Sequence, residues 1–169
     1  MNPMRRIRIE KLTLNIGTGK DQNKLDKAVL LLKSLTGIEP VKTITNKRIP
    51  AWGVRPGLPL GCKLTLRKGA AEMLAKRLIE AKDKKLKPDC FDNSGNIAFG
   101  IHEYIDIPDI KYDPKIGIMG LQVCLTLERP GFRVKRRSVR QTKVGHKHAI
   151  TKEEAIGFLQ EAYGLTVGE

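Results

Sequence analysis

Aromatic side chains make up only 5% of this 169-residue chain, with one tryptophan, three tyrosines and four phenylalanines. A modest core is therefore expected, although the hydrophobic fraction of 40% is ordinary for a globular protein. Cysteine is equally scarce. Cys62, Cys90 and Cys124 are odd in number and widely separated, with no C-x-x-C spacing. That pattern excludes a disulfide framework, a cysteine zinc site and a thioredoxin-like redox motif, and leaves three reduced, packed thiols as the expectation. His146 and His148 flank Lys147 far from the nearest cysteine, Cys124, so no metal and no cofactor is expected. Long apolar runs are missing too. No stretch approaches the ~20 residues of a membrane-spanning helix, and the first ten residues contain no run resembling a signal peptide. A soluble, cytoplasmic chain without a membrane partner is expected.

Acid is the remaining shortage. Eighteen Asp and Glu face 32 Lys and Arg, leaving a formal charge of +14. Ion pairing within one fold cannot absorb that imbalance, so a polyanionic partner is implied. What is abundant is turn-forming sequence, with 16 glycines and 9 prolines. The length is that of a single domain, so one domain over residues 1–169 is expected.

Periodicity divides the chain. Ile7, Ile9, Leu12, Leu14 and Ile16 alternate with one slip near Lys11, predicting a strand with a bulge or bend that ends at Gly17-Thr18-Gly19. From about Asp21, Leu25, Ala28, Val29, Leu32 and Leu35 recur at helical spacing, with Gly37 and Pro40 as the stop. Val41 to Thr45 reads as a short strand, and the stretch from Ile49 to Pro59 as a protruding proline-glycine loop. Cys62, Leu64 and Leu66 predict a strand; Ala71, Leu74, Leu78 and Ile79 place a second helix over Ala70 to Lys82. Further strands are expected at Ile97 to Ile101 and Leu121 to Leu127, with a returning strand at Phe132 and Val134. Thr151-Lys152-Glu153-Glu154 matches a capping box opening a last helix that stops at Gly164.

Three basic constellations stand out. Lys11, Thr13 and Asn15 share the polar face of the first strand, as Lys63, Thr65 and Arg67 do after the loop. Such residues suit RNA, because Lys and Arg neutralise phosphates while Thr and Asn bond phosphate or ribose hydroxyls. A solvated sheet face is also commonly polar, but it usually mixes charge signs, and the only acid adjoining these six is Glu10. In the loop, Lys47, Arg48, Trp52 and Arg55 set the single tryptophan among cations. Stacking plus phosphate contact is a recurrent way to hold RNA. A tryptophan more often folds back onto the core, but flanking Pro50, Gly53, Pro56 and Gly57 favour a presented tip. Finally, Arg129 to His148 holds eight Lys or Arg and no acid. Arg133, Lys135, Arg136, Arg137 and Arg140 lack partners within it, so the segment is expected to repel itself until RNA neutralises it.

Other motifs weigh less. Gly17-Thr18-Gly19-Lys20 lies between strand and helix like a phosphate loop, yet Leu14, Asp21 and Gln22 stand where the stronger patterns need other residues. A tight turn is the preferred reading. Glu103, Asp106, Asp109 and Asp113 concentrate acid without accompanying His ligands at metal spacing, which favours a solvated acidic edge over a catalytic pair. The rival classes are a nonspecific nucleic-acid coat protein and an RNA-modifying or RNA-cleaving enzyme on the same basic surface; the enzyme would need a titratable pair that the sequence does not supply.

Three motifs taken together carry a resemblance: Ile9-Glu10-Lys11-Leu12-Thr13-Leu14-Asn15-Ile16-Gly17-Thr18-Gly19, Pro56-Gly57-Leu58-Pro59-Leu60-Gly61-Cys62-Lys63-Leu64-Thr65-Leu66-Arg67, and Phe91-Asp92-Asn93-Ser94-Gly95-Asn96. In this order, and from about residue 7 to residue 165, the chain resembles the L-five family of large-subunit ribosomal proteins, and its archaeal and eukaryotic branch more than the bacterial one. The resemblance implies an α+β fold: a largely antiparallel sheet with helices on one face, a long proline-glycine loop and a basic C-terminal insertion. It implies a non-enzymatic role, binding 5S rRNA in the central protuberance of the ribosome, with Asn15, Trp52, Arg55 and Thr65 facing RNA. Large-subunit rRNA and neighbouring 5S-binding ribosomal proteins are implied partners, and self-association is not. The loop Arg48, Ile49, Pro50, Ala51, Trp52, Gly53, Val54, Arg55, Pro56, Gly57 and Leu58 inherits proximity to the elbow of peptidyl-site tRNA. A bridge to small-subunit protein S-thirteen is implied as well, with the acidic loop near Asp106 and Asp109 as its place. Glu39 stands where bacterial members carry Gln, and Trp52 replaces a phenylalanine while keeping an aromatic surface.

Overall fold

The computed structural model describes residues 2–168. Among them are three α-helices and a mainly antiparallel five-stranded sheet, an α+β fold. The chain runs β1 (Arg8–Gly17), α1 (Gln22–Thr36), β2 (Val41–Ile44), β3 (Pro59–Leu66), α2 (Lys68–Glu80), β4 (Lys85–Leu86), β5 (Asn96–Ile101), β6 (Leu121–Glu128), α3 (Lys152–Tyr163) and β7 (Thr166–Val167). The five-stranded order is β2-β3-β1-β6-β5, and β4 pairs with β7 in a separate parallel ribbon.

Local chemistry explains the boundaries. Asp21 caps α1 by accepting from the N–H groups of Asn23 and Lys24, and Gly37 closes it in the left-handed region at φ 71°. Thr151 and Glu154 form both halves of the predicted capping box on α3, and Gly164 ends it at φ 62°. The slip in β1 is visible as two half-buried neighbours, Glu10 and Lys11, between buried Ile9 and Leu12. α2 begins at Lys68, two residues before the predicted start.

Two compact units share the chain. One comprises Met1–Leu12, Leu66–Phe99 and Cys124–Glu169; the other comprises Thr13–Thr65 and Gly100–Val123. The first buries Leu74, Leu78 and Ile79 of α2, Ile97 of β5, Leu125 and Leu127 of β6, and Leu159 of α3. The second buries Leu25, Leu31 and Leu32 of α1 with Leu14, Cys62, Tyr104 and Ile107. Both cores are chiefly aliphatic.

Three expectations change. Phe132 and Val134 do not begin a strand; Phe132–Lys135 is a turn of 3-10 helix, and Phe132 is buried with its ring edge-on to His148 at 5.7 Å. The thiols are free but not all packed: Cys62 is buried, Cys90 half-buried and Cys124 exposed. Nor do all the cations of the basic segment lack acid partners: Arg136 meets Glu10 and Glu128, and Arg129 meets Glu154, all three acids lying outside the segment.

Candidate nucleic-acid interface

In the Thr13–Thr65 unit, strand alternation turns Thr13, Asn15, Lys63 and Thr65 away from the core. Thr13 Oγ1 and Thr65 Oγ1 lie 3.5 Å apart, and Asn15 donates to Gln122 Oε1 at 3.1 Å. These are short polar side chains on strand backbone, with Lys63 exposed among them. Gln122 extends the group and was missed by the sequence reading, although it stands on the polar phase of β6. Beneath the face, burial pushes the Cys62 thiol up to about 11, against a smaller opposing pull from Lys42. Gly61 permits close packing here: a Cβ on it would sit 2.5 Å from the Ile16 carbonyl oxygen.

The proline-glycine loop of this unit is a built hairpin tip. Ile49 and Val54 exchange backbone hydrogen bonds at 3.0 and 3.1 Å around a 3-10 turn, Pro50–Trp52, that Gly53 ends at φ 66°. Gly57, at φ 86°, donates to Thr45 O at 2.9 Å and returns the chain to β3. Val54 is buried as the anchor, and Trp52 is 71% exposed, presented as the sequence predicts. Lys47, Arg48, Pro50, Ala51, Arg55 and Pro56 are exposed around it, while Ile49 and Leu58 are half-buried. Lys20, read from sequence only as part of the Gly17-Thr18-Gly19-Lys20 turn, is a further cation here: its Cδ would lie 3.8 Å from a Cβ at Gly53. Only the fold brings it beside the loop.

The other unit carries Lys11, Arg67 and the basic segment. Lys11 is half-buried and Arg67 exposed, with Arg67 Nη1 3.8 Å from Glu10 Oε1. Arg136 bonds Glu10 Oε1 through Nη1 at 2.7 Å and Glu128 Oε2 through Nη2. Arg129 is buried, donating to the carbonyls of His148 and Ala149 and to Glu154 Oε1 at 2.7 Å. Burial raises the Glu154 carboxyl, yet the Thr151 N–H and the Arg129 guanidinium hold it below its usual range. Lys135 Nζ lies 4.7 Å over the Phe132 ring. Arg137 Nε donates to Arg140 O at 2.8 Å, and Gln141 donates to Lys135 O at 2.5 Å. Arg133, Lys135, Arg137 and Arg140 are exposed on this folded loop.

The remaining motifs resolve simply. In the Gly17-Thr18-Gly19-Lys20 turn, the Thr18 and Gly19 N–H groups both donate to Leu60 O, so they are spent on the fold. Asp113 accepts from Lys115 N, and its own N–H donates to Tyr104 Oη at 2.9 Å. Among the described residues, no three His, Cys, Asp or Glu side chains form a set able to hold a metal ion, and no helix is long and apolar enough to cross a membrane.

Comparison with known proteins gives a consistent answer. A family described as ribosomal protein L5 matches residues 2–55, and one described as the C-terminus of the ribosomal L5 family matches residues 59–162. The chain is 52% identical to the large ribosomal subunit protein uL5 of Nanoarchaeum equitans over 98% of both chains. It is 45% identical to that of Sulfolobus acidocaldarius over 99% of this chain and 94% of the relative. Against that of Methanobrevibacter smithii the identity is 42%, over 98% of this chain and 97% of the relative.

Proposed function

Because the chain belongs to the L5 (uL5) family of large-subunit ribosomal proteins, we propose that it works in the cytoplasmic ribosome as a non-enzymatic RNA-binding protein that holds 5S rRNA in the central protuberance. The observation that carries this reading is the loop: the single tryptophan stands 71% exposed on a hydrogen-bonded tip flanked by Lys47, Arg48 and Arg55. An exposed large ring is costly to leave in water and well suited to stack on an unpaired base. Thr13, Asn15 and Thr65, with Lys11, Lys63 and Arg67, supply ribose and phosphate contacts; the basic segment supplies further phosphate contacts. The same loop, Arg48 to Leu58, is proposed to approach peptidyl-site tRNA. The loop near Asp106 and Asp109 is proposed to meet small-subunit protein S-thirteen. Large-subunit rRNA and neighbouring 5S-binding proteins complete the partners, and the chain acts as one RNA-binding domain without forming homo-oligomers. Both compact units are assembled from separated stretches of sequence, so neither is a removable piece.

Hydroxyl-radical footprinting of 5S rRNA with the full chain tests the proposal. A bounded protected patch, part of which is lost with Trp52→Ala and Arg55→Ala together, is the expected result. Uniform or absent protection would overturn it.

A further inference from the structure

Of the cations in the basic segment, Arg136 differs from its neighbours in what it touches. Its two terminal nitrogens engage two different carboxylates, Glu10 on β1 at 2.7 Å and Glu128 on β6. Both acids are nearly buried, with side chains 7% and 9% exposed. Glu128 is held again by Arg8, through Nη2 at 2.7 Å and Nε at 2.9 Å, and Glu10 by Arg67 at 3.8 Å. Two carboxylates thus meet three guanidiniums, leaving one net positive charge. A planar fork satisfied on both prongs is poorly free to neutralise a phosphate.

We infer that Arg136, Glu10 and Glu128 are positioning residues: their ion-pair network pins the basic segment to β1 and β6, pre-shaping Arg133, Lys135, Arg137 and Arg140 as a docking surface for an RNA phosphate backbone. Two more anchors agree with this. Buried Phe132 and buried Arg129 fix the segment's start. Backbone bonds from Arg136 and Arg137 to Arg133 O, at 2.9 and 3.0 Å, and from Thr142 to Val134 O fold the loop between them. Preorganisation removes the ordering cost that a self-repelling cationic strand would otherwise meet on binding. It also accounts for two acids kept beneath an RNA-binding surface, where they would be expected to repel the ligand.

This inference rests on the RNA-binding reading above, and its test separates the two. Binding to 5S rRNA is measured for the full-length wild type, for Glu10→Gln with Glu128→Gln, and for Arg136→Lys, alongside thermal melting and tryptic digestion without RNA. The double variant removes two negative charges, so simple electrostatics demands tighter binding. The positioning role demands weaker binding, by roughly tenfold, with faster cleavage after Arg133, Lys135, Arg137 and Arg140. Arg136→Lys keeps the charge and loses the fork, and should weaken binding in the same direction. Should the double variant fail to fold, the lysine variant decides. Equal or tighter binding by a folded variant overturns the positioning role alone. A wild type that shows no preference for 5S rRNA overturns the function beneath it, and the inference with it.

Discussion

Burial decides what single side chains can do. Cys124 is exposed, whereas Cys62 is fully buried with its thiol pushed up to about 11, so at pH 8 roughly a thousandth of it is thiolate. Mass spectrometry after brief alkylation of the native chain should show Cys124 modified and Cys62 untouched until denaturant is added. Gly61→Ala is expected to lower Tm, since its Cβ would meet the Ile16 carbonyl oxygen at 2.5 Å; overpacking of this kind costs about 1–3 kcal/mol. Trp52→Ala should leave Tm nearly unchanged, because the ring touches solvent, while weakening 5S rRNA binding by about 1–3 kcal/mol. The exposure of Trp52 was legible in its flanking prolines and glycines. The pairing of Arg136 with Glu10 was not, because Glu10 lies far away in sequence and no local pattern links the two. A rule that seeks acids nearby overlooks partners brought by tertiary structure.

Among the elements, those with both a periodic apolar stripe and a chemical stop were legible to within a residue or two. α1 and α3 carry an Asx or Thr cap at one end and a left-handed glycine at the other. The Phe132–Val134 stretch shows what periodicity alone misreads: two apolar residues spaced by one look like a strand, but left-handed Gly131 and the burial of Phe132 against His148 wind it into a turn. The two-residue strands β4 and β7 give no periodic signal at all. For α3, Thr151→Ala should destabilise by about 1 kcal/mol. The lowered Glu154 carboxyl stabilises the fold above its ordinary value of 4.5, and that contribution is lost as pH falls through the lower folded value. Below pH 4.5 the Tm gap between wild type and Glu154→Gln should therefore shrink, as read by circular dichroism melts across pH.

At the scale of the whole molecule, the +14 charge licensed only a polyanionic partner. The fold adds its distribution: a polar strand face and an aromatic-tipped loop in one unit, and a braced basic segment in the other. Binding that uses these cations must weaken with salt, and Lys63→Ala or Arg140→Ala should each reduce the log–log salt slope by about one. A chain that acts as one domain should unfold in a single transition monitored by calorimetry and by far-ultraviolet circular dichroism, and separated transitions would contradict that. The most direct test of the central claim is competition filter binding at fixed moderate salt, with 5S rRNA set against unrelated RNA of equal length. Preference for 5S rRNA by at least about tenfold is the predicted result; equal competition by the two RNAs would contradict the account.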